Sequence, residues 1–278
     1  MNSLKIICAK ENEILFNKAK DYLLEKEQSY CALMNRILHK DKSVYVITEN
    51  TNTVQGVFSY NSGHSFTAYI KAFTKEIKSQ LKEFIKENFI FCITGEEEQV
   101  LEIEKIIYEV KKINPQDIRE MYLMEFLTFD ENYKPPFTFY RCSINDEEEI
   151  FPLQCAYSLQ EVIPEWKEQN LALERMNTEK ILRNEIVFGV REDNKIVSKV
   201  NTNAITENYF QIGGIFTLED YRGKGYAREL VKYFSYYART QNKKIVLYVR
   251  KNNESALKAY LKAGYSIKSN YRIVYYKE

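Results

Sequence analysis

Apolar residues recur at helical spacing in several stretches of the first half of the chain. The stretch 13–40 carries them at intervals of three and four residues, which predicts one or two helices. Thr74 can cap a helix that runs to about Asn88, and the pattern of Glu96–Lys111 predicts another. These amphipathic stretches alternate with short β-branched runs, so the pattern indicates a mixed α/β structure.

The β-branched runs of the first half predict five strands, at Val44–Thr48, Val54–Tyr60, Ser65–Ala72, Phe89–Thr94 and Arg119–Phe129. The turn-forming Asn50-Thr51-Asn52 joins the first two, so they read as an antiparallel hairpin. The segment Asn132–Pro136 ends in two prolines, which cannot extend a helix or join a central strand. We therefore predict a linker there.

The second half again alternates predicted strands and helices. The predicted strands are Phe137–Ser143, Ile186–Arg191, Ile196–Asn201, Tyr209–Thr217, Lys244–Val249 and closing strands within about Ser266–Tyr276. The predicted helices run from Asn145 or Asp146 to about Gln160, from Asn177-Thr178 onward, from about Gly225 to Thr240, and over Ser255–Ala263.

Composition narrows the class of protein. The chain has 278 residues, 45% of them hydrophobic, and a formal net charge of +1, so we expect globular domains without wholesale binding of nucleic acid or anionic membranes. No apolar run approaches the ~20 residues of a membrane span. Residues 1–10 lack a signal-peptide pattern, so a cytoplasmic location is expected.

The cysteines and histidines point to no metal site. The five cysteines are scattered and lack a Cys-x-x-Cys pair, and neither His39 nor His64 stands at metal-ligand spacing to a cysteine. We expect reduced, mostly buried thiols and no bound metal.

The most informative stretch is Gly214–Ala227. A β-branched run leads into a turn with Gly223 and Gly225, the cations Arg222 and Lys224 lie in that turn, and an amphipathic helix comes next. Glycines let the backbone approach a ligand closely, and a helix N-terminus offers unpaired N–H groups and a positive dipole end. The arrangement predicts a site for a phosphate or pyrophosphate.

Two familiar phosphate sites do not fit this stretch. The dinucleotide fingerprint would need a third glycine where Arg228 stands, and an acidic residue ~20 positions on, but no acidic residue lies between Glu229 and Glu254. A nucleoside-triphosphate loop would need four residues between its glycines, then Lys and Ser or Thr, and this is absent. The segment from Lys232 to Arg250 is instead basic.

The hexapeptide Arg222-Gly223-Lys224-Gly225-Tyr226-Ala227 resembles the acyl-CoA-binding motif of the GNAT acetyltransferase family, Arg/Gln-x-x-Gly-x-Gly/Ala. A second motif of that family is matched after the predicted strand Lys244–Val249, by Asn253, Ala256, Tyr260, Gly264 and Tyr265. The resemblance covers about residues 137–278 and includes the order of predicted elements.

The resemblance implies a site for acetyl-CoA as co-substrate. The backbone N–H groups of Gly223, Lys224, Gly225, Tyr226 and Ala227 would face the pyrophosphate, with Arg222 and Lys224 adding charge. The family's strand before the turn splays from its neighbour, and Gly213-Gly214 fits the β-bulge that would open it.

Further site residues are implied by the same resemblance. Backbone groups of Ile215, Phe216 and Thr217 match those that bind the pantetheine arm and the thioester carbonyl. Asn253 matches a residue that hydrogen-bonds the cofactor arm, and it is also a good helix cap. Tyr260 matches the proton donor to the departing thiolate.

The general base is not identified by the sequence. It would be a carboxylate, a histidine or a water relay within reach of the acceptor amine. The second half contains no histidine, and its candidate carboxylates are Glu161, Glu165 and Glu207.

The first half has the same rhythm as the second but lacks the glycine turn, since Tyr69–Thr74 stands in its place. We therefore expect an α/β (α+β mixed-sheet) fold of two tandem GNAT-like domains, each a central, mostly antiparallel twisted sheet flanked by helices. Residues 1–132 would be a degenerate copy without the CoA motif, and residues 137–278 the intact copy. The alternative for the first half is an unrelated α/β domain.

The function implied is an N-acetyltransferase that moves an acetyl group from acetyl-CoA to a primary amine by direct attack in a ternary complex. The acceptor would be a small-molecule or peptide amine, and an oligomer is compatible with the sequence. The alternative is a non-catalytic CoA-sensing or protein-interaction module.

Overall fold

The computed structural model describes residues 4–10, 12–49 and 53–277. The chain forms two compact units, Met1–Leu123 with Ser269–Glu278, and Met124–Lys268. The final ten residues of the chain therefore belong to the first unit. The boundary drawn from the sequence, 1–132 and 137–278, separates two tandem copies along the chain and stays a prediction.

The first copy contributes six strands and four α-helices over its described residues. The strands are β1 (Lys5–Cys8), β2 (Val44–Thr48), β3 (Val54–Tyr60), β4 (Ser65–Ile70), β5 (Cys92–Glu96) and β6 (Asp117–Phe126). The helices are α1 (Glu13–Leu23), α2 (Cys31–Leu38), α3 (Lys75–Glu87) and α4 (Glu97–Lys111).

The second copy repeats the same order of elements. Its strands are β7 (Phe139–Arg141), β8 (Val187–Glu192), β9 (Lys195–Ile205), β10 (Tyr209–Thr217), β11 (Lys244–Arg250) and β12 (Tyr265–Tyr275). Its helices are α5 (Glu147–Tyr157), α6 (Leu171–Asn184), α7 (Tyr226–Thr240) and α8 (Glu254–Ala263). Both halves thus read βααβββαβαβ, which confirms the predicted fold class of two tandem mixed α/β copies.

In the first unit, strands β1 to β5 lie side by side in chain order. Neighbouring strands are antiparallel except for the parallel pair β4 and β5. Strand β5 pairs on its other side with Tyr271–Tyr275 of β12. Alternate side chains of the sheet enter two cores, so that Val46 and Val57 pack with α1 and α2, whereas Ile47 and Phe58 pack with α3 and α4.

In the second unit, strands β7 to β11 also lie in chain order, and only β10 and β11 are parallel. Helix α7 packs on one face, where the rings of Phe188 and Phe234 lie 5.2 Å apart. Helix α5 covers the opposite face through Ile150, which clusters with Val187 and Ile196. These two helices bury the strands that position the candidate site.

Most predicted elements are confirmed, with three corrections. Strand β1 was not predicted, because four residues with partly exposed side chains give little periodic pattern. Helix α6 begins at Leu171, not at Asn177, because Asn170 caps it and its first turns expose their leucines. The closing segment is the single strand β12, where more than one strand was expected. The predicted turn Asn50-Thr51-Asn52 lies outside the described residues.

Candidate functional site

A β-bulge interrupts strand β10 at Gly213 and Gly214. Gly213 lies opposite Asn201, and the next paired residue is Phe216, opposite Lys199, so β10 carries an extra residue here. Gly214 has φ +59°, and a Cβ on it would overlap the Asn201 side chain and stand 2.8 Å from Lys199 Nζ. The bulge predicted at Gly213-Gly214 is therefore present, and Gly214 has no room for a side chain.

The ladder between β10 and β11 ends at this bulge. It joins Tyr209–Ile212 to Lys244–Leu247, and the two strands form no further pair between described residues. Ile215, Phe216 and Thr217 lie beyond the last pair, on the same strand. Their edge on the β11 side is thus where an extended ligand chain could pair with backbone groups.

The glycine turn leaves a row of backbone donors without acceptors. Gly223 and Gly225 both have left-handed φ, +82° and +88°. Within the described structure, no N–H group from Gly223 to Ala227 donates a hydrogen bond. Helix α7 also begins without a side-chain cap, as do α2, α4 and α5, whereas α1, α3, α6 and α8 each have one. Five consecutive donors at a positive helix end are an arrangement that can hold an anion.

The side chains of Arg222 and Lys224, the two cations of the turn, make polar contacts with other residues of the second unit. Arg222 donates through Nε to the Thr217 carbonyl at 3.2 Å and through a terminal nitrogen to Gln160 at 3.2 Å. Lys224 forms a 2.6 Å ion pair with Glu192, and this pair lowers the pKa of Glu192 and raises that of Lys224. Glu192, which also accepts from Tyr226, was not identified from the sequence.

Asn253 caps helix α8, as its position predicted. Its Oδ1 accepts from Ala256 N–H at 3.1 Å, and its Nδ2 lies 3.4 Å from Glu161 Oε1. Glu161 Oε2 in turn lies 3.1 Å from Arg250 Nε. The amide oxygen is therefore used within the helix, and the role of Asn253 toward a cofactor stays a prediction.

The candidate carboxylates do not gather at the bulge. Glu161 is ion-paired with Arg250. Glu207 is exposed and precedes Gly214 by seven residues, about 23 Å of extended strand. Glu165 is exposed in the segment between α5 and α6. Of these three candidates for the base, Glu161 is close enough to Tyr260 to raise its pKa, and none is hydrogen-bonded to Gly213 or Gly214 in the described structure.

Tyr260 lies on α8 with only 6% of its surface exposed. Its hydroxyl makes no hydrogen bond with any residue that the structure describes. Burial raises the pKa of Tyr260, and the nearby Tyr157 and Glu161 raise it further. The phenol therefore keeps its proton through the neutral range and has a free donor.

Lys199 is the functional candidate that the sequence did not indicate. It lies in the middle of β9 and is fully buried, with its Nζ donating to Asn201 Oδ1 and to the Gly214 carbonyl, both at 2.9 Å. The Nζ also lies 5.4 Å from the ring centre of Tyr157. Burial lowers the pKa of Lys199 to about 7. Its only sequence signal is a lysine inside a strand buried on both faces.

The corresponding positions of the first copy are filled by its own side chains. Helix α3, the counterpart of α7, is capped by Thr74. Strand β4 pairs with β5 only over Ser65–Thr67, and beyond that point the Gln99 amide accepts from Ile70 N–H at 2.9 Å and donates to Ile70 O at 3.0 Å. In the first copy, side chains thus satisfy the Ile77 N–H at the start of the helix and both backbone groups of Ile70 beyond the ladder.

The described residues include neither a cluster of metal ligands nor a helix that could span a membrane. No group of three or more His, Cys, Asp or Glu side chains among these residues could hold a metal ion. No helix within residues 4–10, 12–49 and 53–277 has the length and apolarity needed to span a bilayer.

Several solved structures have the same fold. A GNAT-family acetyltransferase from Colwellia psychrerythraea matches with 13% identity and a TM-score of 0.62, over 99% of this chain and 100% of that chain. A Drosophila protein matches with 12% identity and a TM-score of 0.68, over 99% of both chains. A GCN5-related N-acetyltransferase-like protein from Streptococcus suis matches with 15% identity and a TM-score of 0.52, over 84% of this chain and 88% of that chain.

Sequence comparison gives the family. No curated protein sequence matches this chain significantly. The profile of the Acetyltransferase (GNAT) family, however, matches residues 119–265, which is more than half of the chain and includes both motifs. The chain belongs to the GNAT acetyltransferase family.

Proposed function

We propose that the second copy is an N-acetyltransferase that moves an acetyl group from acetyl-CoA to a primary amine by direct attack. One observation carries this proposal, namely the row of five backbone N–H groups, Gly223 to Ala227, that have no acceptor beside an uncapped helix. Such a row suits a pyrophosphate, which offers several oxygen acceptors and negative charge.

The residues of the site fit the parts of acetyl-CoA. The glycine turn would hold the pyrophosphate, and Arg222 and Lys224 would add charge beside it. Backbone groups of Ile215, Phe216 and Thr217, beyond the end of the β10–β11 ladder, would pair with the pantetheine arm. When bound, the co-substrate supplies an acyl carbon activated as a thioester.

The chain's own groups would then stabilise charge and supply a proton. Backbone N–H groups of the bulged strand can donate to the thioester oxygen as negative charge develops there. Tyr260 keeps its proton at neutral pH and has an unpaired hydroxyl, so it can donate to the leaving sulfur. The acceptor is proposed to be a small-molecule or peptide amine.

The second candidate is a non-catalytic module that binds CoA without transfer. It is favoured by one observation, that no carboxylate or histidine among the described residues is hydrogen-bonded to Gly213 or Gly214. The transferase predicts release of free thiol from acetyl-CoA when a panel of primary amines is added, with formation of the acetylated amine.

The same panel distinguishes the two candidates. If acetyl-CoA stabilises the protein against heat but no amine on the panel releases thiol, the binding module is the better account. If acetyl-CoA neither binds nor reacts, both candidates are wrong.

A further inference from the structure

We propose that Lys199 is the general base of the transfer site, which accepts the proton that the acceptor amine loses on attack. The inference rests on the proposed acetyl transfer and supplies the residue that the sequence could not identify. It is carried by the position of the Lys199 amine and by the hydrogen bonds that this amine makes.

The hydrogen bonds of Lys199 fit an uncharged amine. A neutral amine has two N–H donors and one lone pair, and both donors are used, by Asn201 Oδ1 and by the Gly214 carbonyl. The Asn201 amide is itself fixed, because its Nδ2 donates to Thr202 O and to Asn203 Oδ1. An ammonium would bury a third N–H that has only the Tyr157 ring, 5.4 Å away, to face, and its charge would be removed from water at a high cost. The neutral form leaves the lone pair available.

The surroundings of Lys199 contain no charge to hold an ammonium. Opposite it on β8 is Gly189, and the titratable groups that interact with it are the Cys142 thiol, just after β7, and Tyr157 on α5. Burial raises the pKa of Cys142 to about 12, so that thiol is neutral as well. No Asp or Glu among the described residues forms an ion pair with Lys199.

The Lys199 amine lies where a general base for the acceptor amine is needed. Its Nζ is hydrogen-bonded to Gly214, the residue directly before the Ile215–Thr217 edge proposed to hold the thioester. The Tyr157 ring centre lies 5.4 Å from the Nζ, and Tyr157 is also one of the groups that raise the pKa of Tyr260. The proposed proton acceptor and the proposed proton donor thus both interact with Tyr157.

The proposed transfer balances in atoms and electrons. The acceptor nitrogen forms a bond to the acetyl carbon as the carbon–sulfur bond breaks and the electron pair of that bond passes to sulfur. The proton lost by the nitrogen goes to the Lys199 lone pair, and the sulfur takes the Tyr260 proton. Return of one proton from Lys199 to the Tyr260 phenolate, through solvent, restores both side chains. The products are an amide and a thiol.

A purely structural role is the competing explanation, because Lys199 also holds the Gly214 carbonyl at the bulge. Two substitutions separate the roles. Lys199→Arg retains donors and a side chain of similar length but cannot accept a proton near neutral pH. Lys199→Met removes the donors while keeping a long apolar stem. Lys195→Met, on an exposed residue of the same strand, is the matched control.

The experiment compares the wild type and these three variants by steady-state kinetics from pH 5.5 to 9.5, with two acceptor amines of different pKa. We expect the wild-type kcat/KM to fall below a pH of about 7 with both acceptors. Both Lys199 variants should lose about 10²–10⁴-fold in kcat, with acetyl-CoA binding by calorimetry retained. Lys195→Met should behave as the wild type.

Three results would overturn the inference or its basis. Lys199→Arg with kcat within threefold of the wild type contradicts a base role. So does an acidic limb that moves with the pKa of the acceptor, because the limb then belongs to the acceptor and not to the protein. A wild type that binds acetyl-CoA but acetylates no amine shows instead that the proposed function is wrong. The role of Lys199 as general base is then refuted as well.

Discussion

The stability of Lys199→Met relative to the wild type should rise as the pH falls from 9 to 6. The pKa of this amine is about 7 in the folded chain, because burial removes the ammonium from water, and 10.5 when the lysine is exposed to solvent in the unfolded chain. Between these two values the unfolded chain binds a proton that the folded chain does not. The free energy of unfolding of the wild type therefore rises with pH in this window.

The two pKa values set the size of this change in the free energy of unfolding. Each pH unit between 10.5 and about 7 changes the free energy of unfolding by about 1.4 kcal/mol, so the full interval amounts to about 5 kcal/mol. Within the range pH 9 to pH 6, the stability difference between Lys199→Met and the wild type should grow by about 2–3 kcal/mol. Below pH 6 both states of the wild type are protonated, and the difference should level off.

Urea unfolding at a series of pH values measures this difference. The single tryptophan, Trp166, lies in the unit that contains Lys199, so its fluorescence reports on that unit. Titrations shared by the two proteins cancel in the difference, and Lys195→Met should give a flat curve. If the Lys199→Met difference were equally flat between pH 9 and pH 6, the neutral buried amine would be refuted.

Three further predictions test other parts of the site. Tyr260→Phe should lower kcat by about 10²-fold in steady-state assays while leaving the acetyl-CoA dissociation constant unchanged, and unchanged turnover would remove the proton-donor role. Gly214→Ala should lower the free energy of unfolding, measured with urea, by about 2–5 kcal/mol, because of left-handed backbone strain and overlap with Asn201. A loss under 1 kcal/mol would mean that the backbone of the bulge adjusts to the added side chain. Gln99→Ala should leave acetyl transfer unchanged but destabilise the first copy by about 1–3 kcal/mol, seen as faster amide exchange at Ile70.

Local patterns predicted much of the fold and the outline of the site. The glycine turn at Gly223 and Gly225, the Asn253 cap and the two strands predicted on either side of Asp193 all depend on residues close together in sequence. Asp193 and Asn194 both have left-handed φ, which asparagine and aspartate tolerate in tight hairpin turns. These features can be predicted from sequence because backbone conformation in a turn depends mainly on the residues that form it.

The remaining features depend on pairings distant in sequence. Lys199 becomes a site residue only because β9 meets β10 in a register that sets it against the Gly214 carbonyl, under helix α5. Glu192 reaches Lys224 across 32 positions. Gln99 meets Ile70 because α4 comes directly after a splayed strand pair. No periodicity encodes these contacts, so the sequence pattern alone could not predict them.

The two copies differ most at the backbone groups that a cofactor would use. In the first, Thr74 caps the helix and Gln99 satisfies Ile70. In the second, Gly225 leaves the helix uncapped and the ladder stops at the bulge. We therefore expect one acetyl-CoA site per chain, in the second copy.

Calorimetric titration of acetyl-CoA into the wild type and Gly223→Val tests this claim most directly. A Cβ at Gly223 would meet no atom within 4 Å, so the main expected cost of the substitution is left-handed strain, at least about 1–2 kcal/mol for a β-branched residue, and the side chain stands at the donor row. We predict one site per chain in the wild type, weakened more than tenfold in Gly223→Val, with the folded state confirmed by Trp166 fluorescence. Equal affinity in the two proteins, two sites per chain, or no binding by the wild type would contradict the account.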